Sequence, residues 1–272
     1  MAEPVTIVSG RGDLPRRLAE ECARSGRPYH VVALAGFAGP WTADHPHAPA
    51  RLETPGTVVG ALRAAGARSL VLAGAVERPR FDDAATDAVS RAWIARLRRA
   101  AAEGDDGLLR EVVALLREEG FEVIAASDLL DTRPAKGVLG GREPTDAERN
   151  DAARGASILD ALAPLDVGQS CVVAEGRVLG IETIQGTDAL LRFVADTRNL
   201  AQGAKGGVLV KRAKAGQDMR IDAPTVGVRT VEGASRAGLE GIALQAGAVQ
   251  IVDRVAVIEA ADRAGLVIWA EP

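Results

Sequence analysis

Among the groups in this 272-residue chain that could do chemistry, the foremost is the carboxylate of Asp222. It lies in the stretch Gly216-Gln-Asp-Met-Arg-Ile-Asp-Ala-Pro-Thr-Val-Gly227. Proline suits the first turn of a helix, where its missing N–H would have no partner anyway. The spacing therefore predicts that Asp222 sits where a strand gives way to a helix N-terminus. Such a terminus offers N–H groups and partial positive charge to a phosphate. A carboxylate beside a phosphate is repelled unless it holds a metal or handles a water. The alternative is that Asp222 only caps the helix, since Asp is a favoured cap. Asp218 is a second acid nearby, but periodicity does not say whether it shares a face with Asp222.

Further polar groups fall at breaks between apolar runs. Gln169 follows Asp166-Val-Gly; Glu182 and Gln185 precede Gly186-Thr187-Asp188; Lys211 and Lys214 bracket a strand end. Lysines close to acids suit a diphosphate. Each group also has a plain reading, Thr187 and Asp188 as first-turn residues and the lysines as a solvated rim. Near the N-terminus, Gly10 and Gly12 of Ser9-Gly-Arg-Gly-Asp-Leu-Pro15 follow an apolar run and open a helix. This resembles half of a dinucleotide fingerprint, in which glycines allow a tight turn and close approach of a phosphate. Pro15 stands at the third glycine position, and Leu34-Ala-Gly36 offers no acid for a ribose, so NAD is disfavoured. A phosphate contact and a purely structural turn both remain open. No Gly-x-x-x-x-Gly-Lys-Ser/Thr run occurs. The histidines are His30, within an apolar strand, and His45 and His47, in a segment that reads as a surface loop. With so few, any metal must take oxygen ligands, which points to Mg²⁺ or a similar hard cation.

The elements that position these groups alternate. Val5–Val8, Tyr29–Leu34, Ser69–Ala73 and Glu122–Ala126 read as buried strands. Leu14–Arg24, Thr57–Ala65, Thr86–Ala102 and Asp106–Glu119 read as helices. That pattern implies a Rossmann-like α/β domain with a parallel sheet, over residues 1–130. Asp131–Pro144 holds two prolines and three glycines without a sustained period and reads as a linker. Residues 145–272 predict a second α/β domain with a mixed sheet. Its helices are expected at Thr145–Leu162, Thr187–Asp196 (Thr187 as cap) and Arg254–Ala264. A hairpin is expected around Glu175-Gly-Arg177. Further strands are expected at Gly207–Lys211, Gly241–Ala246, Ala248–Val252 and Leu266–Trp269.

Composition narrows the class. Apolar residues make up 47% and charged residues 26%, the balance of a globular protein. The net charge of -4 and the scarcity of aromatic residues argue against a nucleic-acid partner. Cys22 and Cys171 have neither zinc nor redox spacing, which suggests a reducing, cytoplasmic setting. No long apolar run predicts a membrane span, while peripheral contact with a membrane surface stays open.

Five segments together carry a family resemblance. They are Gly10-Arg-Gly-Asp-Leu-Pro, Leu72-Ala-Gly-Ala-Val-Glu-Arg-Pro, Asp166 to Glu182, Gln185-Gly-Thr-Asp-Ala-Leu-Leu, and Ile221-Asp-Ala-Pro-Thr-Val-Gly. In order and spacing they resemble the LpxI-type UDP-2,3-diacylglucosamine pyrophosphatases over nearly the whole chain. The resemblance implies cleavage of UDP-2,3-diacylglucosamine to UMP and 2,3-diacylglucosamine 1-phosphate (lipid X), with a divalent metal, in lipid A synthesis. It implies two domains with the lipid product in the cleft between them, and a homodimer; for the cytoplasmic location suggested by the cysteines, peripheral contact at the inner membrane is left open. The family's essential carboxylate maps onto Asp222, the expected catalytic residue and metal ligand. Gly10, Gly12, Gly74, Gln169, Thr187, Asp188, Lys211, Lys214 and Thr225 are the candidate substrate-binding residues. Two positions depart from the family pattern, Ala75 where Asn is frequent and Arg11 within a Gly-Gly-Gly-type loop. A non-catalytic nucleotide-sugar or lipid-carrier binding protein is the main alternative, and a Rossmann-type oxidoreductase the weaker one.

Overall fold

Apolar runs of four to six residues, each followed by an amphipathic segment, fold the first half as alternating strands and helices. The computed structural model describes residues 2–81, 87–102, 104–200, 205–214 and 217–272, with only the backbone of Asp106. Thr86 and Gly216 therefore lie outside the described residues. In order come β1 (Val5–Ser9), α1 (Leu14–Ser25), β2 (Tyr29–Leu34), β3 (His47–Ala50), α2 (Pro55–Ala64), β4 (Ser69–Ala73), α3 (Ala88–Ala101), α4 (Asp105–Glu118) and β5 (Glu122–Val123). The five strands are parallel, in the order β3-β2-β1-β4-β5. Leu18 and Cys22 of α1 pack on one face of this sheet with Ile7 and Val31. Residues of α2, α3 and α4 pack on the other with Val8, Val32 and Leu70. This is the Rossmann-like parallel-sheet arrangement expected from the strand and helix alternation.

Three local readings need correction. The strand expected at Glu122–Ala126 ends at Val123, and Ala126 opens a short 3₁₀ turn, Ala126–Asp128. His47 is not in a loop: it opens β3, whose register pairs it with Val31. The Ala-Pro-Ala that follows masked the strand, because proline weakens a strand signal. Proline is nevertheless tolerated on an edge strand, and β3 is one. Helix α3 starts at Ala88, because the Asp87 side chain accepts a hydrogen bond from Ser90 N (2.7 Å) and caps it.

Gly10 and Gly74 are required by backbone packing at the carboxyl ends of β1 and β4. Gly10 N donates to Ala73 O (2.8 Å), Arg11 N to Ala75 O (2.9 Å) and Ala75 N to Arg11 O (3.0 Å). A Cβ on Gly10 would lie 2.7 Å from Ala75 O, and one on Gly74 2.5 Å from Arg11 O. Gly74 also has φ +92°, a left-handed backbone that L side chains rarely adopt. Gly74→Ala should therefore destabilise the protein by at least about 2 kcal/mol. Gly60→Ala, on α2 with open space around the new Cβ, should be neutral or stabilising. Urea midpoints of the two variants check this contrast.

The second half mixes directions. It comprises β6 (Gly137–Gly140), α5 (Asp146–Leu162), β7 (Ser170–Ala174), β8 (Arg177–Ile181), α6 (Thr187–Thr197), β9 (Val208–Lys211), β10 (Thr225–Val226), α7 (Val228–Arg236), β11 (Gly241–Gln245), β12 (Gln250–Ile251), α8 (Arg254–Ala264) and β13 (Val267–Glu271). The main sheet runs β6-β13-β11-β9-β7-β8. β9, β11 and β13 are parallel, whereas β6, β7 and β8 pair antiparallel. This is the expected mixed sheet. Strands β10 and β12 form a separate parallel pair. Helix α5 packs on one face of the main sheet, and α6, α7 and α8 pack on the other.

The segment Asp131–Pro144, read as a linker, contributes β6 to this sheet. The hairpin falls where it was expected, with a two-residue turn at Glu175-Gly176. Buried Asp151 of α5 accepts from the N–H groups of both turn residues (2.9 and 2.7 Å). By contacts the chain divides into unit 1, residues 1–131 and 218–222, and unit 2, residues 132–217 and 223–272. The turn that carries Asp222 is thus counted with the first unit despite its place in the sequence.

Candidate active site

Asp222 does not stand at a helix N-terminus. Residues 218–222 form a tight turn in which Asp218 O accepts from Ile221 N (3.1 Å) and Asp222 N (3.0 Å). The Asp218 carboxylate accepts from Arg220 Nε (2.8 Å), Arg220 Nη2 (2.5 Å) and Arg220 N (3.1 Å). The Arg220 guanidinium holds the Asp218 carboxyl below the usual carboxylate range, against the opposing effect of burial. The ion pair that braces the turn therefore persists from neutral into mildly acidic pH.

After Asp222 the chain is extended. Pro224 O accepts from Gln250 N (2.7 Å), which draws Pro224 into the β10–β12 ladder. Helix α7 starts only at Val228, with Gly227 at its cap. Pro224 is a strand-entry proline and not a first-turn proline, which is why the sequence reading misplaced the helix. Thr225 opens β10, and its hydroxyl donates to Ala223 O (3.0 Å).

Unit 1 also contains an apolar cavity of about 170 Å³. Val58, Leu72, Trp93, Leu97 and Val112 line it, together with Ile221 of the Asp222 turn. Gly10 and Gly74 lie on its wall. Gly12 is exposed with φ +101°, and nothing within 4 Å would meet a Cβ there. Arg11 is engaged locally. Its Nη1 donates to Glu77 Oε1 (2.6 Å) and its guanidinium lies 5.0 Å from the centre of the Phe37 ring. Ala75 takes part in the strand-end bridge through its backbone.

Unit 2 gathers a buried polar cluster at the carboxyl end of β9. Lys211 Nζ donates to Thr187 Oγ1 (2.7 Å) and Ser170 Oγ (3.1 Å), and lies 3.6 Å from Glu182 Oε2. Thr187 Oγ1 in turn donates to Glu182 Oε2 (2.8 Å). The Lys211 side chain is only 3% exposed and that of Glu182 9%. Thr187 is the first residue of α6, not its cap; Gly186 holds the cap position.

Next to this cluster, Arg212 N donates to Gln169 O (3.0 Å), and Gln217 Nε2 donates to Gln169 Oε1 (3.3 Å). Gln217 Oε1 accepts from Lys214 N (3.0 Å), and Lys214 Nζ pairs with Asp166. Gln169, Thr187, Lys211 and Lys214, chosen from separate stretches of sequence, thus lie around one end of β9. Asp188 points elsewhere and pairs with Arg229 of α7 at 2.5 Å. The sequence reading passed over Ser170, and it noted Glu182 without selecting it. The signal was the apposition of a strand end, a glycine and a helix start, which shows up only once β7, β8 and β9 are paired.

The cysteines offer no nucleophile. Both are buried and free, and burial pushes the Cys171 thiol up to about 11. Among the described residues, no group of three or more His, Cys, Asp or Glu side chains could hold a metal ion. A magnesium ion needs less than that, because it is commonly held by one or two carboxylates together with substrate phosphates. A single Asp222 fits that donor set, and Asp218 is committed to Arg220.

Family models described as the LpxI N-terminal domain and the LpxI C-terminal domain match residues 4–133 and 135–269. The chain belongs to the LpxI family. It is 40% identical over 265 residues to the UDP-2,3-diacylglucosamine pyrophosphatase LpxI of Caulobacter vibrioides, covering 96% of this chain and 94% of that protein. A solved structure, the Thermus thermophilus UDP-glucose 4-epimerase complex with NAD, aligns over 99% of this chain and 86% of its own. Its 15% identity and TM-score of 0.33 are too low to say anything of the fold. Within this LpxI-family chain, the Asp222 turn and the Lys211 cluster each hold charge in fixed geometry. Among the described residues no helix is long and apolar enough to cross a membrane.

Proposed function

We propose that this protein hydrolyses the diphosphate of UDP-2,3-diacylglucosamine, releasing UMP and 2,3-diacylglucosamine 1-phosphate for lipid A synthesis. The observation that carries this reading is the 40% identity to the Caulobacter enzyme across 96% of the chain. The chemistry of the residues supports it. Diphosphate hydrolysis asks the protein for positioning, charge neutralisation and an oriented water, with no protein nucleophile. Water adds to one phosphorus, the bridging P–O bond breaks, and the water proton passes to a base.

Asp222 is the group assigned to orient that water and accept its proton. Lys211, held in its buried position by Ser170, Thr187 and Glu182, contributes positive charge near the diphosphate. Gln169, Lys214 and Thr225 serve as further polar contacts, Asp188 acts through its ion pair with Arg229, and Gly12 lets the backbone approach a phosphate. The apolar cavity of unit 1 takes an acyl chain, since it is lined by aliphatic and aromatic side chains. A hard divalent ion, when bound, neutralises charge developing on the diphosphate. Asp222 would hold it together with substrate oxygens. Because so few protein ligands are offered, the free protein should bind Mg²⁺ weakly and the protein–substrate complex much more tightly.

The test is UMP release from UDP-2,3-diacylglucosamine with Mg²⁺ and after verified metal removal with excess EDTA. Release that requires Mg²⁺ is expected. Full turnover without metal would reject the metal role, and tight substrate binding without any UMP would favour a carrier protein. We further propose that the protein is a homodimer that acts in the cytoplasm, in peripheral contact with the inner membrane. Sedimentation and membrane fractionation test those two points.

A further inference from the structure

We propose that Ile221 is a positioning residue that couples filling of the unit 1 cavity to the placement of Asp222. The inference rests on the hydrolase reading given above. Two observations carry it. First, Ile221 is a wall of the apolar cavity and packs against the cluster of Val58, Leu97 and Leu116. Second, Ile221 and Asp222 are consecutive residues of one turn, and their N–H groups share the same acceptor, Asp218 O. The turn is braced again by the Asp218–Arg220 ion pair. A displacement of the Ile221 backbone therefore carries the Asp222 backbone with it. An apolar space that is unfilled leaves its lining without partner atoms, and a chain that enters it gains contact with every wall, Ile221 included.

Contacts far from the reacting bond can be used to hold a catalytic group in place, and truncated substrates then lose kcat as well as affinity. The expected consequence is a wild-type enzyme whose kcat depends on acyl length. In this reading Ile221 is the link.

The experiment compares UDP-2,3-diacylglucosamine bearing long acyl chains with its diacetyl analogue, using wild type, Ile221→Ala and Ile221→Val. Wild type should show the higher kcat on the long-chain substrate. Ile221→Ala should lower that kcat by about 10–100-fold, the scale of a misplaced catalytic group, and should lower kcat on the diacetyl analogue by a clearly smaller factor. KM for the long-chain substrate should change little by comparison. Ile221→Val, which removes one methyl group, should shift the same ratio less and guards against a misfolded alanine variant. An unchanged ratio of the two kcat values, or an equal fall on both substrates, would overturn the coupling. If wild type released no UMP from either substrate, the hydrolase reading itself would fall, and the coupling with it.

Discussion

Asp222→Ala is expected to lower kcat for UMP release by about 10²–10⁴-fold, the range for a positioned acid or base. Substrate binding measured without Mg²⁺ should survive, because the carboxylate then acts mainly in the transition state. No helix cap is lost with it. Asp222 caps no helix, since α7 starts at Val228 under a Gly227 cap. The turn around it is held by the backbone carbonyl and carboxylate of Asp218. The loss of about 1 kcal/mol expected for a deleted helix cap is therefore not anticipated. Steady-state kinetics and thermal melts of purified wild type and variant check both halves of this prediction. Normal turnover with a lowered Tm would assign Asp222 a structural role and end the catalytic one.

The second large effect concerns the Lys211–Glu182 pair. Both side chains are almost fully buried, and Thr187 bridges them. Glu182→Ala removes the buried carboxylate 3.6 Å from the Lys211 ammonium and should cost about 3–5 kcal/mol. For a protein of this size that is a fall of roughly 6–20 °C in Tm. Replacing both partners with apolar groups of similar volume, Lys211→Met with Glu182→Leu, removes the charge and its counter-charge together. Such replacements are often neutral or stabilising in other proteins. The double variant should thus recover much of the lost Tm. It should remain defective in UMP release, because the fixed positive charge is gone. Recovery of both stability and activity would show that the pair serves packing and not the diphosphate.

Much of the architecture was legible in the sequence because it follows from local periodicity. The strands Tyr29–Leu34 and Ser69–Ala73 and the helix Arg254–Ala264 have the bounds that apolar patterning predicts. The hairpin turn lies within the expected Glu175-Gly-Arg177, but Arg177 already belongs to β8 and the turn is the two residues Glu175-Gly176, both with positive φ. Strands β3 and β6 were not legible. His47-Ala-Pro-Ala and Gly137-Val-Leu-Gly have weak strand character of their own. Each is fixed by pairing along one edge of an existing sheet, β3 on β2 and β6 on β13.

Residue types and order along the chain determined that this protein has two α/β halves, that few histidines are on offer, and that Asp222 stands out among the carboxylates. Local sequence could do this because apolar spacing and the side-chain inventory are local properties. Tertiary structure alone decided which groups meet. Ser170, Glu182, Thr187 and Lys211 converge because β7, β8 and β9 are neighbours and α6 starts beside them. Tertiary structure alone also decided that the Asp222 turn belongs with the first unit. There Ile221 finds an apolar cavity built from residues more than a hundred positions earlier in the chain. No periodicity in the sequence could show this, because the contact depends on how the apolar faces of α2, α3 and α4 close over the sheet and leave space between them.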